Sequence, residues 1–114
     1  MTERVVWVAN ESGHDYEPAA RYGPTKSLSI GNQNTFQLDR LAYHLSRGIG
    51  QFTHEDDYLL VSGSPIINML AFNFWLLRHS KCNLLQWKAS TREYILTTVS
   101  RDQMASLMER SLHG

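Results

Sequence analysis

Cysteine occurs once in this chain of 114 residues, at Cys82, which excludes an intrachain disulfide and fits a reducing compartment. Net charge is missing as well: 11 Lys and Arg face 11 Asp and Glu, so nothing draws the chain as a whole to a nucleic-acid backbone or an anionic membrane surface. No nucleic-acid partner is expected. The longest apolar stretch, Ile66 to Leu77, is too short to cross a bilayer and is broken by Asn68 and Asn73, so no membrane partner is expected either. The first residues lead straight into a strand-like run without the apolar region and cleavage site of a secretory signal, which points to the cytoplasm. Internal repeats, a G-x-G-x-x-G, a P-loop lysine and a G-x-S-x-G elbow are all absent. His44, His54, His79 and His113 lack paired ligand spacing, and Glu55-Asp56-Asp57 reads as a solvated turn. No cofactor, metal site or catalytic residue is therefore predicted.

What remains is a regular alternation of patterns, of a length that suits one domain over residues 1–114. Val5 to Ala9 is a continuous β-branched and aromatic run, expected for a strand covered on both faces. A polar, Gly- and Pro-punctuated loop follows, with one helical turn at Glu17 to Tyr22, and then a short strand at Ser27 to Ile30. Leu38, Leu41, Ala42 and Leu45 share a helical face, with Asn34 and Gln37 as a capping box and Gly48 and Gly50 as the stop. Tyr58 to Val61 is the third strand. The helix from Pro65 to His79 is apolar around almost its whole circumference, so it needs cover beyond one sheet: a homo-oligomer contact through helix 65–79, or the C-terminal helix. Asn83 to Trp87 and Glu93 to Val99 form an antiparallel hairpin, and Cys82 beside it reads as a small buried hydrophobe. A closing helix, capped by Ser100 and Gln103, has Met104, Leu107, Met108 and Leu112 as its inner stripe. This order predicts an α/β fold: a three-layer, reduced Rossmann-like domain whose mainly parallel sheet ends in an antiparallel C-terminal edge hairpin.

In open parallel sheets ligands bind beyond the carboxyl ends of the strands, which selects three loops. These are Asn10-Glu11-Ser12-Gly13-His14-Asp15, Gly31-Asn32-Gln33-Asn34 and Ser62-Gly63-Ser64. Ser64 before Pro65 suits an N-cap, and such a helix start offers backbone N–H groups and partial positive charge to an anion. The predicted ligand-binding residues are Asn10, Ser12, Gly13, His14, Asp15, Gly31, Asn32, Ser62, Gly63, Ser64 and Asn68, with Asn68 and Asn73 alternatively satisfied core amides. Trp87 and Lys88 end the fourth strand on the same side. Ser12, His14 and Asp15 are too close in sequence to face one another as a triad.

Strand one ending in Asn-x-Ser-Gly-His-Asp-Tyr, then Asp56 to Gly63, then His79 and Asn83-Leu84-Leu85, resembles small proteins without assigned activity encoded by tailed bacteriophages. The resemblance implies an accessory factor in the host cytoplasm, acting on a host system. Two functions are carried forward. One is a binding protein for an anionic small molecule, a nucleotide or other phosphate-bearing ligand. The other is a homo-oligomeric interaction protein that binds a host protein without a small ligand. A hydrolase or transferase using His14 as acid or base is a third reading without a matching nucleophile.

Overall fold

Val6, Trp7 and Val8 are all buried because their strand has hydrogen-bonded neighbours on both sides and cover on both faces. The computed structural model describes residues 3–114. In chain order it contains β1 (Val6–Val8), a 3-10 turn (Glu17–Ala19), β2 (Thr25–Ser27), α1 (Leu38–Phe52), β3 (Tyr58–Leu60), α2 (Pro65–Arg78), β4 (Lys81–Lys88), β5 (Glu93–Ser100) and α3 (Arg101–His113). The five strands lie in the order β2-β1-β3-β4-β5. The first four are parallel, and β5 runs antiparallel to β4 from Lys88 opposite Glu93 to Lys81 opposite Ser100. This is the α/β, Rossmann-like layering that the order of patterns predicts.

Strand alternation divides the apolar side chains between two cores. On one face Trp7, Ala9, Leu59 and Cys82 pack against Leu41, Leu45 and Ile49 of α1 and Ile67, Ala71, Trp75 and Leu76 of α2. On the other, Val6, Val8, Tyr58, Leu60, Leu85 and Tyr94 are covered by Ala19, Tyr16 and Tyr22 around the 3-10 turn. The third layer is thus a single short segment. Cys82 is an interior hydrophobe, its thiol pushed up to about 12 by burial. No helix among the described residues is long and apolar enough to cross a membrane.

Several boundaries differ from the sequence reading, each for a local reason. The second strand is Thr25–Ser27, and Ile30 makes only an isolated bridge to Glu11. Asn34 is not the cap of α1: its Oδ1 accepts from the Phe36 N–H at 3.0 Å, closing a turn ahead of a helix whose N-cap is Gln37. Gly48 and Gly50 do not stop α1, which runs through both to Phe52. The two glycines together cost about 2 kcal/mol against alanine, which the burial of Ile49 between them, about 1.5–3 kcal/mol, offsets, and the helix continues.

Two other expectations fail through tertiary placement. The stripe of α3 faces no core: Met104, Leu107, Met108 and Leu112 are all exposed, so α3 does not cover α2. Its start is built as predicted, with Ser100 Oγ accepting from the Gln103 N–H at 3.0 Å. Asp57 is not part of a solvated turn but is 2% exposed, accepting from the Trp7 indole Nε1–H at 2.9 Å and from the backbone N–H groups of Val5 and His54, both at 3.0 Å. It locks β1 to the start of β3. Asp56 does face solvent, 3.1 Å from Lys81 Nζ.

Candidate functional site

Because β1, β2, β3 and β4 are parallel, the segments that follow them gather at one pole. The chain leaves β1 toward β2 on one side and β3 toward β4 on the other, so the switch point lies between β1 and β3. Asn10 ties the three loops together there. Its Oδ1 accepts from the Ser64 N–H at 3.0 Å, while Nδ2 donates to Ser29 Oγ at 3.1 Å and to the Gly31 carbonyl at 3.0 Å. Hydroxyls continue the link, with Ser62 Oγ 2.6 Å from Tyr16 Oη and 3.3 Å from Ser12 Oγ.

These bonds alter the anion argument. Ser64 occupies the N-cap position with Pro65 in the first turn, but its side chain caps nothing. Asn10 takes the Ser64 N–H, and Asn68 Oδ1 takes the Ser62 N–H at 3.1 Å. Asn68 Nδ2 donates to the carbonyls of Ser62 and Ser64, both at 2.7 Å, so this amide is satisfied inside the loop it folds. Asn73 likewise bonds within α2, donating to the Met69 carbonyl. Gly63, at φ +78°, is needed for approach of chain to chain: a Cβ there would overlap the Asn10 amide. Gly13, at φ +85°, faces open space.

Two adjoining clefts open beside this knot. The first, about 550 Å³, is lined by His14, Asp15 and Pro18 from the loop after β1, Ser62 and Gly63 after β3, and Trp87, Arg92 and Tyr94 of the β4–β5 hairpin. The second, about 680 Å³, contains Asn10, Ser12, Gly13, Gly31, Asn32 and Ser64, with Gly63 bordering both. The predicted residues therefore meet at one pole but divide between two depressions, and Asn68 lines neither. Lys88, too, is absent from both walls.

The chemistry of the first cleft is mixed. Trp87, which lines the cleft, packs against Tyr94 with ring centroids 5.0 Å apart yet remains 46% exposed. Burial, with smaller contributions from Tyr16 and Asp15, raises the Tyr94 phenol above its ordinary pKa. Asp15 Oδ1 accepts from the Glu17 N–H at 2.9 Å and so starts the 3-10 turn. His14 stands exposed, with its ring edge toward Tyr16 at 6.4 Å. Arg92 is the residue that sequence reasoning missed. It sits at φ 52° in the turn of the β4–β5 hairpin, the one non-glycine residue in the left-handed region among those described. A signal existed: a hairpin that follows a strand parallel to β1 turns at the same carboxyl pole as the three loops.

A mainly parallel α/β sheet with clefts at its switch point defines the class. The model of the Phage Pam3 gp32-like protein family matches residues 4–101, and the chain belongs to that family of bacteriophage proteins. The phage resemblance in the sequence is thereby borne out. No curated protein and no solved structure matches the chain.

Proposed function

We propose that this phage protein is a small-ligand binding protein for an anionic, ring-bearing molecule, a nucleotide or another phosphate-bearing compound, held in the first cleft. One observation carries the reading: Arg92 and His14 line the same depression as the half-exposed Trp87. A guanidinium matches phosphate oxygens in a fork, an imidazole adds a donor, and an indole face supports a base. Ser62 and Gly63 line the same cleft, and Asp15 and Asn10 position the loops. The second cleft, with Ser12, Gly13, Asn32 and Ser64, gives a longer ligand room to cross Gly63. The experiment is a melting assay against a panel of nucleotides and inorganic phosphates. A ligand at a hundredfold excess over its Kd stabilises by about 2.7 kcal/mol, and His14→Ala with Arg92→Ala removes that gain. No stabilisation by any member, or stabilisation unchanged in the double variant, overturns the proposal.

A second reading, the homo-oligomeric interaction protein, is favoured by α2 itself. Ile66, Met69 and Leu77 recur on one side of that helix and are 41%, 61% and 74% exposed. Sizing chromatography beside Met69→Glu separates the readings, because a dimer through α2 would dissociate while ligand stabilisation would stay.

A further inference from the structure

A third depression runs between the free edge of the sheet and α1, meeting the second cleft at Ile30 and Gln33. Along α1 it is lined by Arg40, Tyr43, His44, Arg47, Gln51 and Phe52, and its floor is Trp7 and Leu28. Those helix positions recur at intervals of three and four over residues 40 to 52, so the groove follows the helix for about 18 Å, the length of roughly five extended residues. Its open volume is about 730 Å³.

Three features give it a chemical preference. No carboxylate lines it, although the chain as a whole is neutral. Arg40 and Arg47 form no salt bridge among the described residues, and Arg47 lies over the Tyr43 ring at 5.8 Å. Lys26 Nζ adds a further cation, 5.8 Å from the centroid of Trp7. Beside these cations is an edge with spare backbone capacity. The Pro24 carbonyl and the Leu28 N–H are bonded to β1, and in a parallel ladder alternate residues direct their groups to the same side. The N–H and C=O groups of Thr25 and Ser27 therefore point off the sheet. The Leu28 carbonyl is already bound, 3.2 Å from His44 Nε2, which marks where the free edge ends.

We infer that this groove docks an extended acidic segment of another protein, which adds to the β2 edge and sets its carboxylates on Arg40, Arg47 and Lys26. Every second side chain of such a segment faces α1, and among these apolar ones between the carboxylates would reach Tyr43, Phe52 and Leu28, as in strand addition generally. Polypeptide is favoured over nucleic acid because the edge offers backbone pairing and the floor is apolar, whereas only three cations are present.

The test uses the whole protein and a fluorescein-labelled peptide Glu-Thr-Leu-Thr-Glu-Thr, about six residues long to match the groove, whose glutamates and leucine share one face. Anisotropy should saturate with this peptide and not with its counterpart carrying lysine in place of glutamate. Arg40→Gln with Arg47→Gln, both at exposed positions, should keep the melting midpoint and weaken binding about tenfold or more. Amide hydrogen exchange at Thr25 and Ser27 should slow when the peptide binds. Absence of saturable binding, unchanged affinity in the double variant, or unprotected Thr25 and Ser27 amides overturns the inference. So does a short single-stranded DNA that binds the groove more tightly than the acidic peptide, or a self-associated protein that the double variant turns monomeric.

Discussion

The two poles of the sheet use the same residue types in opposite ways. At the amino pole Asp57 is 2% exposed and accepts three hydrogen bonds, and His79 is buried with Nε2 2.8 Å from Thr53 Oγ1. At the carboxyl pole Asp15 and His14 are exposed, and Asp15 holds one backbone N–H. A polar group enclosed by β1, β3 and α2 costs about 1–3 kcal/mol when left without a partner; among the described residues the buried Trp75 indole N–H is the one side-chain group so left, while Asp57 and His79 find theirs within the chain. A polar group on a loop beyond the strands can leave its capacity to a ligand. The difference teaches that a histidine and an aspartate acquire their role from the end of the sheet on which they stand.

The largest test of that contrast is Asp57→Ala against Asp15→Ala. Removing Asp57 strands the Trp7 indole and two backbone N–H groups, and should cost about 3–5 kcal/mol in chemical denaturation, while Asp15→Ala should cost about 1 kcal/mol or less. Equal losses would erase the distinction between the poles.

A smaller effect of opposite sign is expected at the ligand pole. Arg92 holds a left-handed backbone that a side chain disfavours, so Arg92→Gly should stabilise the fold by about 1 kcal/mol, roughly 4 °C in melting midpoint, while abolishing stabilisation by nucleotides. A variant that is both less stable and still ligand-responsive would remove Arg92 from the site.

The smallest effect is one of pH. The Thr53 hydroxyl donates to the Ile49 carbonyl at 2.6 Å, so it accepts from a protonated Nε2 of His79. Burial first, and Arg78 second, hold the imidazolium form of His79 below its ordinary pKa of 6.5. The unfolded chain takes up the proton before the folded one does. Stability is therefore full above about pH 7 and declines as pH falls through 6.5. Melting curves between pH 5 and 8 should show that decline, with a shallower slope in His79→Gln. An unchanged slope in the variant would assign it to other groups.

Much of the fold is legible in the pattern of residues. The run Val5 to Ala9 predicts a central strand, the spacing of Leu38, Leu41 and Leu45 predicts α1, and the short turn before Glu93 predicts an antiparallel pair. These are periodicities of a few residues, set by the geometry of helix and strand. The convergence of Asn10, Ser12, Ser62 and Ser64 follows from parallel pairing and is legible at one remove. Which amides are already satisfied is not. Asn10 and Asn68 have the composition of ligand contacts, but their partners lie on loops whose spacing only the folded chain sets. Likewise α1 runs past Gly48 and Gly50 to Phe52, because the burial of Ile49 between them depends on distant segments that local glycine spacing does not contain.

By itself the sequence determined the kind and order of the elements, the balance of charge and the polar character of the loops, since each depends on residues near one another in the chain. Tertiary structure alone decided that Asp57 is enclosed, that Arg92 and His14 line the same cleft, that the stripes of α2 and α3 stay uncovered, and that the cations of α1 border an unpaired strand. Burial and proximity between distant segments exist only after the chain has closed, and they set what each polar group has left to offer.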